Sequence, residues 1–217
     1  MKSQKKFVIT AGPTREFIDP FRFISNPSSG KMGYALARAA AERGSEVVLI
    51  SGPVSLDPVP GARLVPVTSA REMRAAVMEH APSADAVVMA AAVSDYRPAR
   101  FSPSKLKKVE ERISLSLVRN PDILGELGRR KGGAFLAGFS ADTENIVDNA
   151  REKLKCKGLD LIVANDISAP GSGFGAETNR ATVIHRDGRV EEWPMMSKDD
   201  LAGRIIDLIG AKIAHWK

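Results

Sequence analysis

The stretch Phe7-Val-Ile-Thr-Ala-Gly-Pro-Thr-Arg15, then Arg22-Phe-Ile-Ser-Asn-Pro-Ser-Ser-Gly-Lys-Met-Gly33, decides how the chain folds. Phe7 to Thr10 is a short apolar run with β-branched residues, the composition of a buried strand. From about Met32 to Arg43, the residues Met32, Leu36, Ala39 and Ala40 recur at the spacing of one helix face, and Gly44 stands where a helix C-terminus ends. Glu46 to Ser51 reads as a second strand. Strand, helix, strand in that order is a βαβ unit, and its crossover brings the two strands together in parallel.

The same alternation continues outward. Ser69 with Glu72 is a capping box that starts a helix running to about His80, and the strand Asp85 to Ala90 follows. Asn120-Pro121 can break a strand-like Ile113 to Val118, with Asp122 opening a helix. Ala134 to Phe139, a helix from about Asn145 to Lys157, and Leu159 to Ala164 make a further βαβ unit. Near the end, Thr182 to His185 and Val190 to Trp193 flank an Asp187-Gly188 turn, so this pair is antiparallel, and Ser197 with Asp200 opens the last helix. The expected class is α/β: a Rossmann-like, mostly parallel sheet with helices on both faces and a small antiparallel addition. Gly52 to Pro66 and Pro170 to Gly175 read as loops, so residues 1–217 are expected to form one domain.

Composition narrows the function classes. With 217 residues, 43% of them hydrophobic and 27% charged, the chain can bury a core and is not disordered. No stretch approaches the ~20 apolar residues of a membrane span, and no signal-peptide run precedes Phe7, so a cytoplasmic protein without membrane contact is expected. One cysteine, Cys156, excludes an internal disulfide and a multi-cysteine zinc site. The formal charge of +6 draws nucleic acid, anionic membrane and small phosphorylated substrates alike.

Ligands of open α/β sheets bind beyond the carboxyl ends of the strands, so the segments after each strand carry the chemistry. Small and polar residues before the Met32 helix leave backbone N–H groups free for an anion such as phosphate. The segment is neither a P-loop, since Gly30-Lys31 is followed by Met32, nor a dinucleotide fingerprint, since Gly12 and Gly30 are far apart. After the third strand, Ala90-Ala-Ala-Val-Ser-Asp-Tyr-Arg97 lets a flat ligand approach the backbone, and Asp95 can hold a metal or cap a turn. Lys105-Leu-Lys-Lys108 is either a solvated basic face or a loop that closes over a triphosphate. Phe139 can stack on a base or belong to the core.

Taken together, Ile9-Thr-Ala-Gly-Pro-Thr-Arg-Glu16, Arg22-Phe-Ile-Ser-Asn26, Ser28-Ser-Gly-Lys-Met-Gly33, Ala91-Ala-Val-Ser-Asp-Tyr-Arg97, Lys105-Leu-Lys-Lys108, Asn120-Pro-Asp-Ile123, Gly138-Phe139 and Ala164-Asn-Asp166 resemble the phosphopantothenate-cysteine ligase family in its bacterial CTP-using form. The resemblance implies activation of 4'-phosphopantothenate by CTP to an acyl-cytidylate, then displacement of CMP by the amine of L-cysteine. It further implies Asn26 and Lys105 as catalytic residues, and Asp95 as the holder of Mg2+, through water. Met89, Ala90, Ala91, Asp95, Lys105, Pro121, Asp122, Ile123, Leu124, Phe139, Lys153 and Lys157 would bind the nucleotide. Arg22, Asn26 and Ala91 would bind substrate, with Arg22 reaching the phosphate held by a neighbouring subunit of a homodimer. The expected active site is therefore shared between subunits.

The chain departs from the family pattern at Pro27, where Arg or His is frequent, and at Ser140-Ala-Asp-Thr143, where Ala-Glu-Thr follows the Gly-Phe pair. It also starts at the ligase strand, so no FMN site of a decarboxylase domain is expected. Three other readings compete, one of them a bland α/β scaffold. A nicotinamide oxidoreductase lacks its glycine fingerprint here. A nucleic-acid module would want aromatic platforms among its basic residues, and Lys105 to Arg119 contain none, so no nucleic-acid partner is expected.

Overall fold

Strand β1 (Lys6–Ala11) pairs in parallel with β4 (Glu46–Ser51) on one side and with β6 (Ala86–Met89) on the other, so that Ile9 faces both Leu49 and Val88. The structure is a computed structural model and describes residues 4–107, 111–130, 132–142, 144–166 and 175–214. The sheet continues through β5 (Ala62–Pro66) beyond β4, and through β9 (Phe135–Asp142), β10 (Leu161–Asp166), β11 (Thr178–His185) and β12 (Val190–Ser197) beyond β6. Among the described residues this makes an eight-stranded sheet of order β12-β11-β10-β9-β6-β1-β4-β5. Strands β5 to β10 along that order are parallel, and β11 and β12 are antiparallel. The fold is a Rossmann-like α/β sheet with an antiparallel edge.

Alternate residues along each central strand bury on opposite faces. Phe7, Ile9 and Ala11 join the core beneath α1 (Lys31–Glu42) and α5 (Lys198–Ala214). Val8 joins the core formed with α2 (Ala70–His80), α3 (Ile123–Arg129) and α4 (Ile146–Cys156). Both faces are covered, which is why the central strands read as continuous apolar runs. The capping box on α2 is formed: Glu72 N–H donates to Ser69 Oγ at 3.2 Å, and the Glu72 carboxylate accepts from Ser69 N–H at 3.1 Å. The 186–189 turn closes β11 to β12, and Ser197 Oγ accepts from Asp200 N–H at 3.0 Å where α5 begins.

Two expectations are corrected. The Gly52–Pro66 stretch is not all loop, because Ala62 to Pro66 adds β5 at the sheet edge. An edge strand is half solvated and lacks the alternation that marks a strand in sequence, and Pro66 is tolerated at its end because no donor is needed there. The strand expected over Ile113 to Val118 shrinks to β8 (Leu117–Arg119), paired with the three-residue β7 (Tyr96–Pro98). Pro98 has no N–H to donate, and beyond it only Ala99 N–H to Ser116 O, 2.9 Å, extends the contact. A second small ribbon, β2 (Arg15–Phe17) with β3 (Phe23–Ser25), grows from the first connection. Lys108 and residues 170–174 lie outside the described residues.

Helix α1 starts against the end of β1 at Gly33. A Cβ there would sit 2.5 Å from the Ala11 Cβ and 2.8 Å from the Thr10 carbonyl oxygen, so only glycine lets the helix lie this close. Gly33→Ala is therefore expected to destabilise the fold by about 1–3 kcal/mol through overpacking, measured by urea denaturation. An unchanged midpoint would mean that α1 can lift from β1 at no cost.

Candidate functional site

The sheet's order reverses at β1: the chain moves from β1 to β4 and β5, then returns to β6 on the other side. Beyond the carboxyl ends of β1 and β6 the two departing connections are stitched together. Gly12 O accepts from Ala92 N–H at 2.9 Å, and Ala92 O accepts from Thr14 N–H at 3.3 Å. Thr10 Oγ1 accepts from Ala91 N–H at 3.1 Å and Thr14 Oγ1 from Ser94 N–H at 3.0 Å. Both threonines are fully buried, so these bonds hold the connections in one geometry. Asn26 joins the same seam, its amide donating to Ala92 O at 3.2 Å.

Two cavities open here, and they share the wall Ala91, Val93, Asp95, Phe139 and Lys153. The larger, about 780 Å³, gathers Met89, Ala91, Asp95, Pro121, Asp122, Ile123, Leu124, Phe139, Lys153 and Lys157 from four separate segments of the chain. The smaller, about 320 Å³, is lined by Asn26, the Ser28–Gly33 start of α1, and Ala90 to Val93. Thus every expected nucleotide contact except Lys105 faces one cavity or the other, and Asn26 faces the second.

Local bonding explains how distant segments reach the larger cavity. Asn120 donates its amide to Ser94 O at 2.8 Å and its backbone N–H to Asp95 O at 2.8 Å, which docks the Pro121–Leu124 turn beside β6. Asp122 caps α3 by accepting from Gly125 N–H at 3.1 Å and forms an ion pair with Lys157. Burial alone would raise the Asp122 pKa, but the Lys157 ammonium and the Gly125 N–H outweigh it and hold the carboxyl below its ordinary value. Lys153 donates to Phe139 O at 2.8 Å, tying α4 to the end of β9. The hydroxyl of Ser94, which also lines this cavity, is buried and has no partner among the described residues.

No group of three or more His, Cys, Asp or Glu able to hold a metal ion occurs among the described residues. Asp95 nevertheless fits magnesium in the manner common for nucleotides, in which one carboxylate, directly or through water, completes a shell supplied mostly by phosphate oxygens. Its carboxylate is exposed on the wall common to both cavities.

Arg22 and Lys105 are brought together, but outside both cavities. The Arg22 guanidinium forks onto the Asp19 carboxylate, with Nε at 2.9 Å and Nη2 as an ion pair, and donates to Leu106 O at 2.8 Å. Asp19 also accepts from the N–H groups of Phe21 and Arg22 at 2.9 Å and of Leu106 at 3.2 Å. Lys105 Nζ rests 5.2 Å from the centre of the exposed Phe21 ring, a cation–π contact. The Asp19 side chain is completely covered, and this burial would raise its pKa. The Arg22 guanidinium and the three backbone donors reverse that effect and hold it far below the usual carboxylate range.

The lysine segment is thereby clipped to the 19–22 turn by a single carboxylate. Asp19 is not among the residues that the sequence singles out, its only local signal being its place before Pro20. Because its folded pKa is depressed, its contribution to stability is present above its ordinary value near 3.8 and fades as pH falls below it. Asp19→Asn should therefore be less stable than the parent at pH 7, and the gap should narrow below about pH 4, as read from paired urea titrations. A gap independent of pH would show that the carboxylate's charge is not what holds the clip.

Comparison with known proteins matches this geometry to a family. Residues 2–213 match the DNA/pantothenate metabolism flavoprotein C-terminal domain family. The Coenzyme A biosynthesis bifunctional protein CoaBC of Bacillus subtilis (strain 168) is 51% identical over 208 residues, which cover 95% of this chain and 51% of that protein. The protein of the same name from Vibrio cholerae serotype O1 is 43% identical over 208 residues, 94% of this chain and 52% of that one. The chain thus spans about half the length of the curated relatives it matches. The crystal structure of the C-terminal domain of a CoaBC protein superposes with a TM-score of 0.84 at 40% identity, covering 97% of this chain and 96% of that one. Fold, motifs and matched length agree, and the chain belongs to the DNA/pantothenate metabolism flavoprotein C-terminal domain family, in which its motifs resemble the phosphopantothenate-cysteine ligases.

Proposed function

We propose that this chain acts as one ligase domain that joins 4'-phosphopantothenate to L-cysteine with CTP, giving 4'-phosphopantothenoylcysteine, CMP and pyrophosphate in coenzyme A biosynthesis. The observation that carries the reading is the pair of cavities with a common wall, one holding the expected nucleotide residues other than Ala90 and Lys105, and the other Asn26, Ala90 and the start of α1. The family match and the CoaBC names of its relatives support it. The choice of CTP comes from the motif resemblance.

In the first half-reaction a carboxylate oxygen of phosphopantothenate bonds to the α-phosphorus of CTP as the bond from that phosphorus to the bridging oxygen breaks, and pyrophosphate leaves with the bridging oxygen. The shared wall sets the two reactants side by side, so that a bimolecular step becomes a local one. Ala90 to Ala92 present backbone and no large side chain, allowing close approach of the nucleotide. Met89, Ile123 and Leu124 give apolar contact for a base, and Phe139 gives a ring against which it can stack. Lys153 and Lys157 contribute positive charge at the cavity's rim. Magnesium accompanying the triphosphate at Asp95 would neutralise phosphate charge. Lys105 stabilises charge developing at the α-phosphorus, and to do so its segment leaves the Phe21 ring and closes over the cavity.

In the second half-reaction the amine of cysteine forms the C–N bond as the acyl–oxygen bond breaks. CMP departs with the oxygen, two of the three protons of the former ammonium pass to solvent, and the third stays as the amide N–H. Asn26, fixed to Ala92 O, holds the acyl group for this attack. We propose further that the working unit is a homodimer in which Arg22 binds the phosphate of substrate held by the partner subunit. Arg22 lies outside both cavities of its own chain. The apolar side chains of Ile113, Leu115 and Leu117 are 56%, 43% and 44% exposed and offer a surface for such an association. A cytoplasmic setting belongs to this reading through the motif resemblance; no helix among the described residues is long and apolar enough to cross a membrane.

The test is a two-stage assay. Pyrophosphate should appear with CTP, phosphopantothenate and magnesium, and CMP should be released in full only when cysteine is added; ATP in competition reports the nucleotide preference. An intact preparation that consumes no CTP would end this reading. Lys105→Gln is expected to slow pyrophosphate formation by roughly 10²-fold or more with unchanged thermal stability. Asn26→Asp should slow the cysteine step more than activation, whereas equal slowing of both would remove its assigned role.

A further inference from the structure

The smaller cavity has a second wall to which the steps above give no role. Besides the Asn26 to Gly33 segment it is lined by residues at the ends of β9, β10 and β11 and by the first residue of α5, carrying Ser140, Asn165, Asn179 and Lys198. Ser140 is 7% exposed, and its hydroxyl has no hydrogen-bond partner among the described residues. A buried hydroxyl left in that state is a standing cost that a bound group can remove. Ser140 is also one of the positions at which this chain departs from the family pattern, in which alanine follows the Gly-Phe pair.

Lys198 is buried to the same degree, 7% exposed, with its backbone N–H donating to Glu177 O at 3.0 Å. Burial lowers its pKa, the nearby Lys31 ammonium lowers it further, and the Glu177 carboxylate opposes them. Glu177 is itself ion-paired with Lys31. A cation desolvated at a cavity wall is stabilised by an anion entering that cavity. A buried hydroxyl and an ammonium that line the same cavity suit a carboxylate.

The ligation has a third reactant that also needs a seat: an amino acid whose amine must face the acyl carbon beside Asn26. Holding it by its carboxylate would leave the amine free to attack. We propose that Ser140 and Lys198 form the subsite for the carboxylate of the incoming amino acid. The assignment rests on the ligase reading above. The phosphate of the pantothenate substrate shares this anionic chemistry, and the experiment separates the two.

Initial rates of Ser140→Ala and Lys198→Met would be measured with L-cysteine and with cysteamine, which offers the same amine and thiol without a carboxylate. The KM for cysteine should rise severalfold in Ser140→Ala and roughly tenfold or more in Lys198→Met, while the KM values for cysteamine and phosphopantothenate stay within about twofold. A rise in the phosphopantothenate KM with cysteine unaffected would assign the wall to the phosphate and overturn the proposal. Equal losses with both acceptors, or no change with either, would overturn it as well. If Lys198→Met shows no cooperative thermal transition, Ser140→Ala, which removes one oxygen, decides alone. Parent protein that releases no pyrophosphate from CTP and phosphopantothenate would fail the ligase reading itself, an outcome distinct from a parent that does so while its variants show the wrong KM pattern.

Discussion

The parallel pairing of β1 with β4 on one flank and β6 on the other is the constraint on which the rest depends. A strand between two parallel neighbours must send its outgoing connection over the sheet end, and here the chain leaving β1 meets the chain leaving β6. The crevice between them opens onto both cavities, and the threonine hydroxyls of Thr10 and Thr14 lock its two lips together. Gly33 and Gly52 show how tightly this is drawn, since a Cβ on Gly52 would lie 1.8 Å from Pro13 O.

Charge is distributed according to that geometry. The basic residues that give the chain its excess of +6 are not spread as a uniform field. Lys153 and Lys157 stand at the larger cavity, and Lys31 and Lys198 at the smaller. Arg22 and Lys105 are held together at a third place by Asp19. A segment secured by one buried carboxylate, one fork of hydrogen bonds and one exposed ring is held by few contacts, none of them in the core.

Much of the fold is legible in the order of the amino acids. The boundaries of α1 and α2 follow from periodicity and capping chemistry, because those signals are local: Ser69 and Glu72 bond to each other's backbone wherever the helix sits. The central strands are legible because burial on both faces demands apolar residues throughout. Strand β5 is hidden, since its exposed edge asks little of its side chains. The length of β8 is overestimated because an alternating pattern says nothing about where the partner strand ends, and Pro98 ends it.

The candidate site divides in the same way. Residues next to strand ends, such as Asp95 and Phe139, can be named from sequence because the order of strand and connection places them at the ligand-binding end of a parallel sheet, whereas Asn26 is named by the family resemblance. The class of fold, the location of that end and the family motifs are therefore determined by the sequence itself, through local periodicity and short spacing. What only the tertiary structure decided is which distant groups come together: Asp19 with Leu106, Ser140 and Lys198 in the cavity that Asn26 lines, Lys105 on Phe21 outside both cavities. Such pairings depend on how the connections settle against one another after the sheet has formed. Their partners are scores of residues apart, so no local spacing encodes them.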